Sequence, residues 1–169
     1  SRDPVTLTPA QSCADFGPND VVGFVDANLE RAVRAELRLT SQRELTCGLA
    51  TGLTRLIALG EGIERLEGIQ NLSALAELWL QDNSISDVGP LAELRTLRTL
   101  YLHQNPVTDA SPLSGLTDLV TLWLHETSVT ELSPLASLSA LEELRIQSNG
   151  PTDLSPLSSL TRLRVLTAG

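Results

Sequence analysis

One frame repeats through most of this chain and leaves it little choice of fold. The pattern L-x-x-L-x-L-x-x-N starts at Leu75, Leu97, Leu119, Leu141 and Leu163, each start 22 residues after the last. A degenerate copy starts at Leu53, with Ala58 and Glu61 where the third leucine and the asparagine would stand. A fixed period of this length means one structural unit used again and again.

The residues of one unit explain why it must be stacked. In an extended segment neighbours point to opposite faces, so Leu78 and Leu80 turn inward while Trp79 turns outward. Asn83 ends the strand. Ile85, Val88, Leu91 and Leu94 carry the return leg, where Gly89 and Pro90 bar a long helix. A single coil cannot cover its own leucines, so coils stack on a shared core and their strands form a parallel sheet. The pattern predicts a leucine-rich-repeat solenoid. It divides the chain into an N-terminal tail (1–21), a helical cap (22–52) and repeats (53–169). The repeats run 53–74, 75–96, 97–118, 119–140 and 141–162, with a partial copy at 163–169.

Composition narrows the function. Hydrophobic residues make up 41% of the chain and aromatics only 3%, so leucine supplies the core. A net charge of -9 argues against nucleic acid as partner, because neutralising phosphates needs a basic surface. No apolar run reaches the roughly 18 to 20 residues that span a bilayer. The polar opening Ser1-Arg2-Asp3-Pro4 reads as that of a processed or trimmed chain.

Ahead of the repeats, residues 1 to 20 show no clear period and read as a loop or tail. Leu29, Ala32, Val33, Glu36 and Leu37 follow helical spacing, with Asp26 as N-cap. Ser41 and Glu44 form a capping-box pattern for a second short helix carrying Leu45 and Leu49. Two small helices suit a cap that shields the first coil. Cys13 and Cys47 both lie in this region. A disulfide between them would tie the tail to the cap and favour an exported protein. The alternative is two buried thiols in an intracellular scaffold of the same fold.

These residues resemble the internalin family of bacterial proteins. Phe24-Val25-Asp26-Ala27-Asn28-Leu29, followed by Ala32-Val33-Arg34, is similar to the family's helical cap. Asn83 to Asp87 with Gly89-Pro90-Leu91, and Asn105 to Asp109 with Ser111-Pro112-Leu113, are similar to its repeat, as is Asp153 with Ser155-Pro156-Leu157. Thr127 and Glu131 depart from it, standing where the repeat has asparagine and aspartate. The resemblance implies a curved right-handed solenoid with short 3₁₀ segments on its convex side. It also implies protein binding at a bacterial cell surface or after secretion.

Recurring Asn83, Asn105 and Asn149 read as structural, their amides satisfying backbone groups of neighbouring coils. Asp87, Asp109 and Asp153 read likewise, as acceptors for free N–H groups at the Pro-Leu turn. The outward strand positions are different, because the fold does not need large side chains there. One column reads Ile57, Trp79, Tyr101, Trp123, Arg145 and Thr167, and it holds both tryptophans and the lone tyrosine of the chain. Strands about 4.8 Å apart would bring these rings into contact. The next outward column is Leu59, Gln81, His103, His125 and Gln147. Beside it run Asp82, Gln104, Glu126 and Ser148, and across the strand lies Arg98. Aromatic anchors with a polar surround have the anatomy of an interface.

The expected function is therefore a macromolecule-binding module working through its concave sheet. The expected site is Trp79, Tyr101, Trp123, Arg145, Gln81, His103, His125, Gln147, Asp82, Gln104, Glu126 and Arg98. The partner is a protein, or a glycan stacking on the three rings. No cofactor, metal or catalytic group is expected, and His103 and His125 read as interface hydrogen-bonders. Leu163, Leu166 and Ala168 keep the inward pattern up to the last strand, so a second copy or a longer chain is expected to cover that end.

Overall fold

A computed structural model describes residues 3–150 and 153–169. Ser1 and Arg2 of the polar opening, and Pro151 and Thr152 within the fifth repeat, lie outside the described residues. The described residues form six strands in one parallel sheet whose spatial order is the sequence order. They are β1 (Arg55–Ile57), β2 (Glu77–Trp79), β3 (Thr99–Tyr101), β4 (Thr121–Trp123), β5 (Glu143–Arg145) and β6 (Val165–Thr167). The 22-residue period is the register itself: Leu56, Leu78, Leu100, Leu122, Leu144 and Leu166 stand opposite one another along the sheet. This is the right-handed solenoid expected, with the sheet on its concave side.

Each return leg contains a short 3₁₀ turn. Gly89–Glu93, Ser111–Gly115, Ser133–Ser137 and Ser155–Ser159 all carry proline in their first positions. Proline has no N–H to offer, and the first turn of a helix needs none. The N–H of Gly89, Ser111, Ser133 or Ser155 is accepted by Asp87, Asp109, Glu131 or Asp153, two residues earlier. Glu131 thus does the work of the aspartate it replaces. The turns are also sewn to one another. Ser137 Oγ donates to Ser114 O, and Ser159 Oγ donates to Ala136 O, each bond reaching the preceding coil.

The asparagine ladder holds the coils at the other corner. Asn105 accepts from Ile85 N–H and donates to the carbonyls of Leu80 and Leu102. Asn83 does the same between Ile63, Ala58 and Leu80. Asn105 is only 3% exposed, so these backbone groups have no water to turn to. At the next rung Thr127 is too short to repeat the pattern. Its hydroxyl reaches Leu124 O, while Asn149 turns to accept from Thr127 N–H.

The cap departs from its expected form in two respects. Helix α1 (Ala27–Glu36) begins at Asp26, whose carboxylate accepts from Asn28 and Leu29 N–H. The second helix, α2, is shorter than expected at Cys47–Ala50, and its N-cap Thr46 makes no side-chain bond. No capping box forms at Ser41, because Arg34 takes the carbonyls of Thr40, Ser41 and Arg43 and holds that stretch as a turn. Residues 3–21 are likewise more than a loose tail. Thr6 bridges Val21, Leu7 is buried, and Cys13 is bonded to Cys47.

Asp26 also joins cap to repeats, because its second oxygen accepts from Glu64 and Arg65 N–H. Burial pushes this carboxyl up, but four backbone donors outweigh it and hold it below the usual carboxylate range. Gly68 completes the junction at φ 107°, where a Cβ would lie 2.5 Å from Gly23 O. In the first coil Glu61 has lost the asparagine role and instead pairs with Arg31 of α1. At the far end Leu166 is 41% exposed, whereas Leu144 one coil earlier is fully buried.

Two substitutions test the ladder by chemical denaturation. Asn105→Ala strands buried backbone groups and is expected to lose about 3 kcal/mol. Thr127→Asn restores the missing rung and is expected to gain about 1 kcal/mol. Equal, small effects from both would show the ladder to be incidental. Breaking the Cys13–Cys47 bond, which closes a separation of 34 residues, should cost about 3 to 4 kcal/mol. Thermal melts with and without reductant read this directly.

Candidate functional site

The outward residues of β2 to β5 meet in one cluster. Trp79 and Tyr101 have ring centroids 5.2 Å apart and tilted, and Tyr101 stacks on Trp123 at 4.3 Å. The guanidinium of Arg145 lies 4.1 Å over the Trp123 ring. Four consecutive strands thus contribute a continuous stack ending in a cation. Strand alternation puts these residues outward, and the parallel register sets them side by side.

The rings face outward but are half-buried rather than fully exposed. Its indole Nε1 donates to Glu143 Oε1 at 3.0 Å, and Arg145 Nε donates to the same oxygen at 2.8 Å. Glu143 is the residue that sequence reasoning passed over. It stands two before Arg145 on β5, and alternation already placed both on the same face. Burial pushes the Tyr101 phenol upward, and the Glu143 carboxylate adds to this.

A second column lies against the first. His103 and His125 stack at 4.2 Å with an interplanar angle of 14°. They also contact the rings beside them, His103 at 5.5 Å from Trp123 and His125 at 6.0 Å. Gln81 and Gln147 flank the pair in the same column, both half-buried. Five buried side-chain atoms on this face have no hydrogen-bond partner among the described residues: Trp79 Nε1, Gln81 Oε1, His103 Nδ1, His125 Nδ1 and Gln147 Oε1. Such atoms cost free energy wherever they occur. Here they are concentrated in two adjacent columns.

Asp82, Gln104 and Glu126 play a backbone part that spacing did not reveal. Each adopts a left-handed conformation, with φ of 57°, 56° and 53°, as does Ser148 at 61°. In that corner the N–H of Asp82, Gln104 and Glu126 reaches the carbonyl of His103, His125 and Gln147 on the next coil. Their side chains remain exposed, and Gln104 bonds Glu126. Arg98 is exposed across the strand.

Comparison with known proteins matches this geometry. The family Leucine Rich repeats (2 copies) matches residues 95–137. An internalin (inlF) from Listeria monocytogenes superposes with a TM-score of 0.83 at 38% identity, over 86% of this chain and 43% of that one. Internalin C2 (inlC2) from the same organism gives 0.84 at 37% identity, over 86% and 65%. The chain is an internalin-like leucine-rich-repeat protein. It spans less than two thirds of either internalin. A leucine-rich-repeat protein of Leptospira interrogans is more distant, with a TM-score of 0.57 at 28% identity over 64% of this chain. No curated protein sequence matches the chain. Among the described residues no helix is long and apolar enough to cross a membrane.

The stack is asymmetric, and its asymmetry is measurable. Trp123 has three ring neighbours, a cation and a hydrogen bond, so Trp123→Ala should cost about 2 kcal/mol of folding stability. Trp79 has one ring neighbour and an unpartnered nitrogen, so Trp79→Ala should cost about 1 kcal/mol. Urea titration orders the two, and the reverse order would contradict the geometry.

Proposed function

We propose that this chain works outside the cell, secreted or at the surface, and holds a protein partner against its concave sheet. Trp79, Tyr101 and Trp123 are the anchors. Gln81, His103, His125 and Gln147 supply hydrogen bonds beside them, with Asp82, Gln104, Glu126, Arg98 and Arg145 around them. One observation carries the reading: the half-exposed ring stack and the unpartnered buried polar atoms occupy the same face. A core position would not tolerate such atoms, and an interface centre gains most from rigid aromatic anchors. The Cys13–Cys47 bond supports export, since such bonds persist in oxidising compartments.

The test is a cross-linking pull-down with the wild type, followed by affinity measurement on the captured protein. The Trp79→Ala/Trp123→Ala double variant should lose at least about 2 kcal/mol of binding, or roughly thirtyfold. Binding is to be compared at a temperature where both proteins are folded. Unchanged affinity would move the interface elsewhere, and binding to a glycan array without protein capture would change the class of partner. Leu122→Ala, which points into the core, is expected to lose about 2 to 5 kcal/mol of stability.

A further inference from the structure

The two histidines of this chain are its sole side chains that ordinarily titrate between pH 5 and 8, and they are stacked on each other at the middle of the concave face. We propose that the His103–His125 pair is a proton switch: the docking face described above is assembled when both rings are neutral, and acid takes it apart. The proposal rests on the concave-face reading for its purpose, although the switch itself belongs to the free protein.

The geometry carries the argument. With centroids 4.2 Å apart, two neutral imidazoles make a favourable parallel stack, but two imidazolium ions at that distance repel strongly. The pair is also wedged against the anchor rings, with Tyr101 at 6.3 Å from His103 and Trp123 within 6.0 Å of both. Separation of the histidines therefore displaces the stack. Each Nδ1 is buried without a hydrogen-bond acceptor, so a proton placed there gains no partner.

The charged groups around the pair come from three strands and oppose one another. Asp82, at the corner after β2, and Glu126, after β4, favour protonation, whereas Arg145 of β5 disfavours it. Burial is the largest influence on both rings and pushes both downward. His103 is lowered further by His125. With the rings stacked, the second proton must join the first against an existing charge. Two coupled steps result.

The sign follows from linkage. A histidine lowered in the folded state prefers to be neutral there, so the unfolded chain binds more protons. The stabilisation is fully present above the ordinary histidine value of about 6.5 and is lost as pH falls through the folded values. Carboxylates contribute at lower pH, which leaves the range just below neutrality to the pair.

Glutamine already occupies this column at positions 81 and 147, so His103→Gln/His125→Gln is a conservative, non-titrating control. NMR of the imidazole Cε1–H signals should give two steps, both below about 6.5. Single His125→Gln should move the His103 midpoint upward. Tryptophan emission should change over the same range in the wild type, and in Trp79→Phe, which leaves Trp123 to report. The thermal midpoint should fall there too. The double glutamine variant should show neither change. Independent titration of both rings at the ordinary value with flat emission would overturn the switch, and so would an unaltered pH response in the double variant. None of these readouts involves a partner. A failed switch thus leaves the binding face standing, and a partner that docks elsewhere leaves the switch standing.

Discussion

Every coil of this protein depends on finding partners for backbone groups that its own turn cannot satisfy. A chain that makes a corner every few residues strands N–H and C=O groups, and near the core no water reaches them. The asparagines answer this at one corner, and acidic residues ahead of the four proline-bearing 3₁₀ turns answer it at another. Left-handed residues complete the set by sending an N–H to the next coil. Because the asparagines and the left-handed corners each link one coil to its neighbour, the array is held by nearest-neighbour interfaces. Asp26 and Arg31 carry the same logic across to the cap.

That arrangement frees the concave face. Inward leucines fill the core and the corners satisfy the backbone, so the fold does not require large side chains at the outward strand positions. Large rings in three successive copies of such a position are a choice the fold does not require. Their stacking and the Glu143–Arg145 pair make the face rigid, which lowers the ordering cost of binding.

Much of this was legible in the sequence because the signals are periodic. Leu78 and Trp79 alternate in one strand, and a 22-residue repeat with parallel pairing leaves one register for their partners. The ring column followed from that register alone. What escaped was local or long-range rather than periodic. Ser41 and Glu44 have capping-box spacing, yet Arg34 of α1 captures the nearby carbonyls, and no short-range rule weighs a side chain seven residues upstream. Asn71 anchors the N-terminal segment by accepting from Cys13 N–H and donating to Gln11 O, a contact across 58 and 60 residues. The left-handed corner was hidden because only Gly60 announces it, while Asp82, Gln104 and Glu126 adopt it against their own preference. Glu143 was overlooked for a different reason: its role depends on a bond to a ring of the neighbouring column on the strand before it.

The central claim is that the concave ring face, and not the 3₁₀ side, is where a partner sits. Hydrogen–deuterium exchange of the free and partner-bound protein measures this most directly. The account predicts added protection in residues 76–82, 98–104 and 120–126, with little change in the turns Gly89–Glu93 and Ser111–Gly115. Protection confined to those turns, with the three strands unchanged, would contradict it.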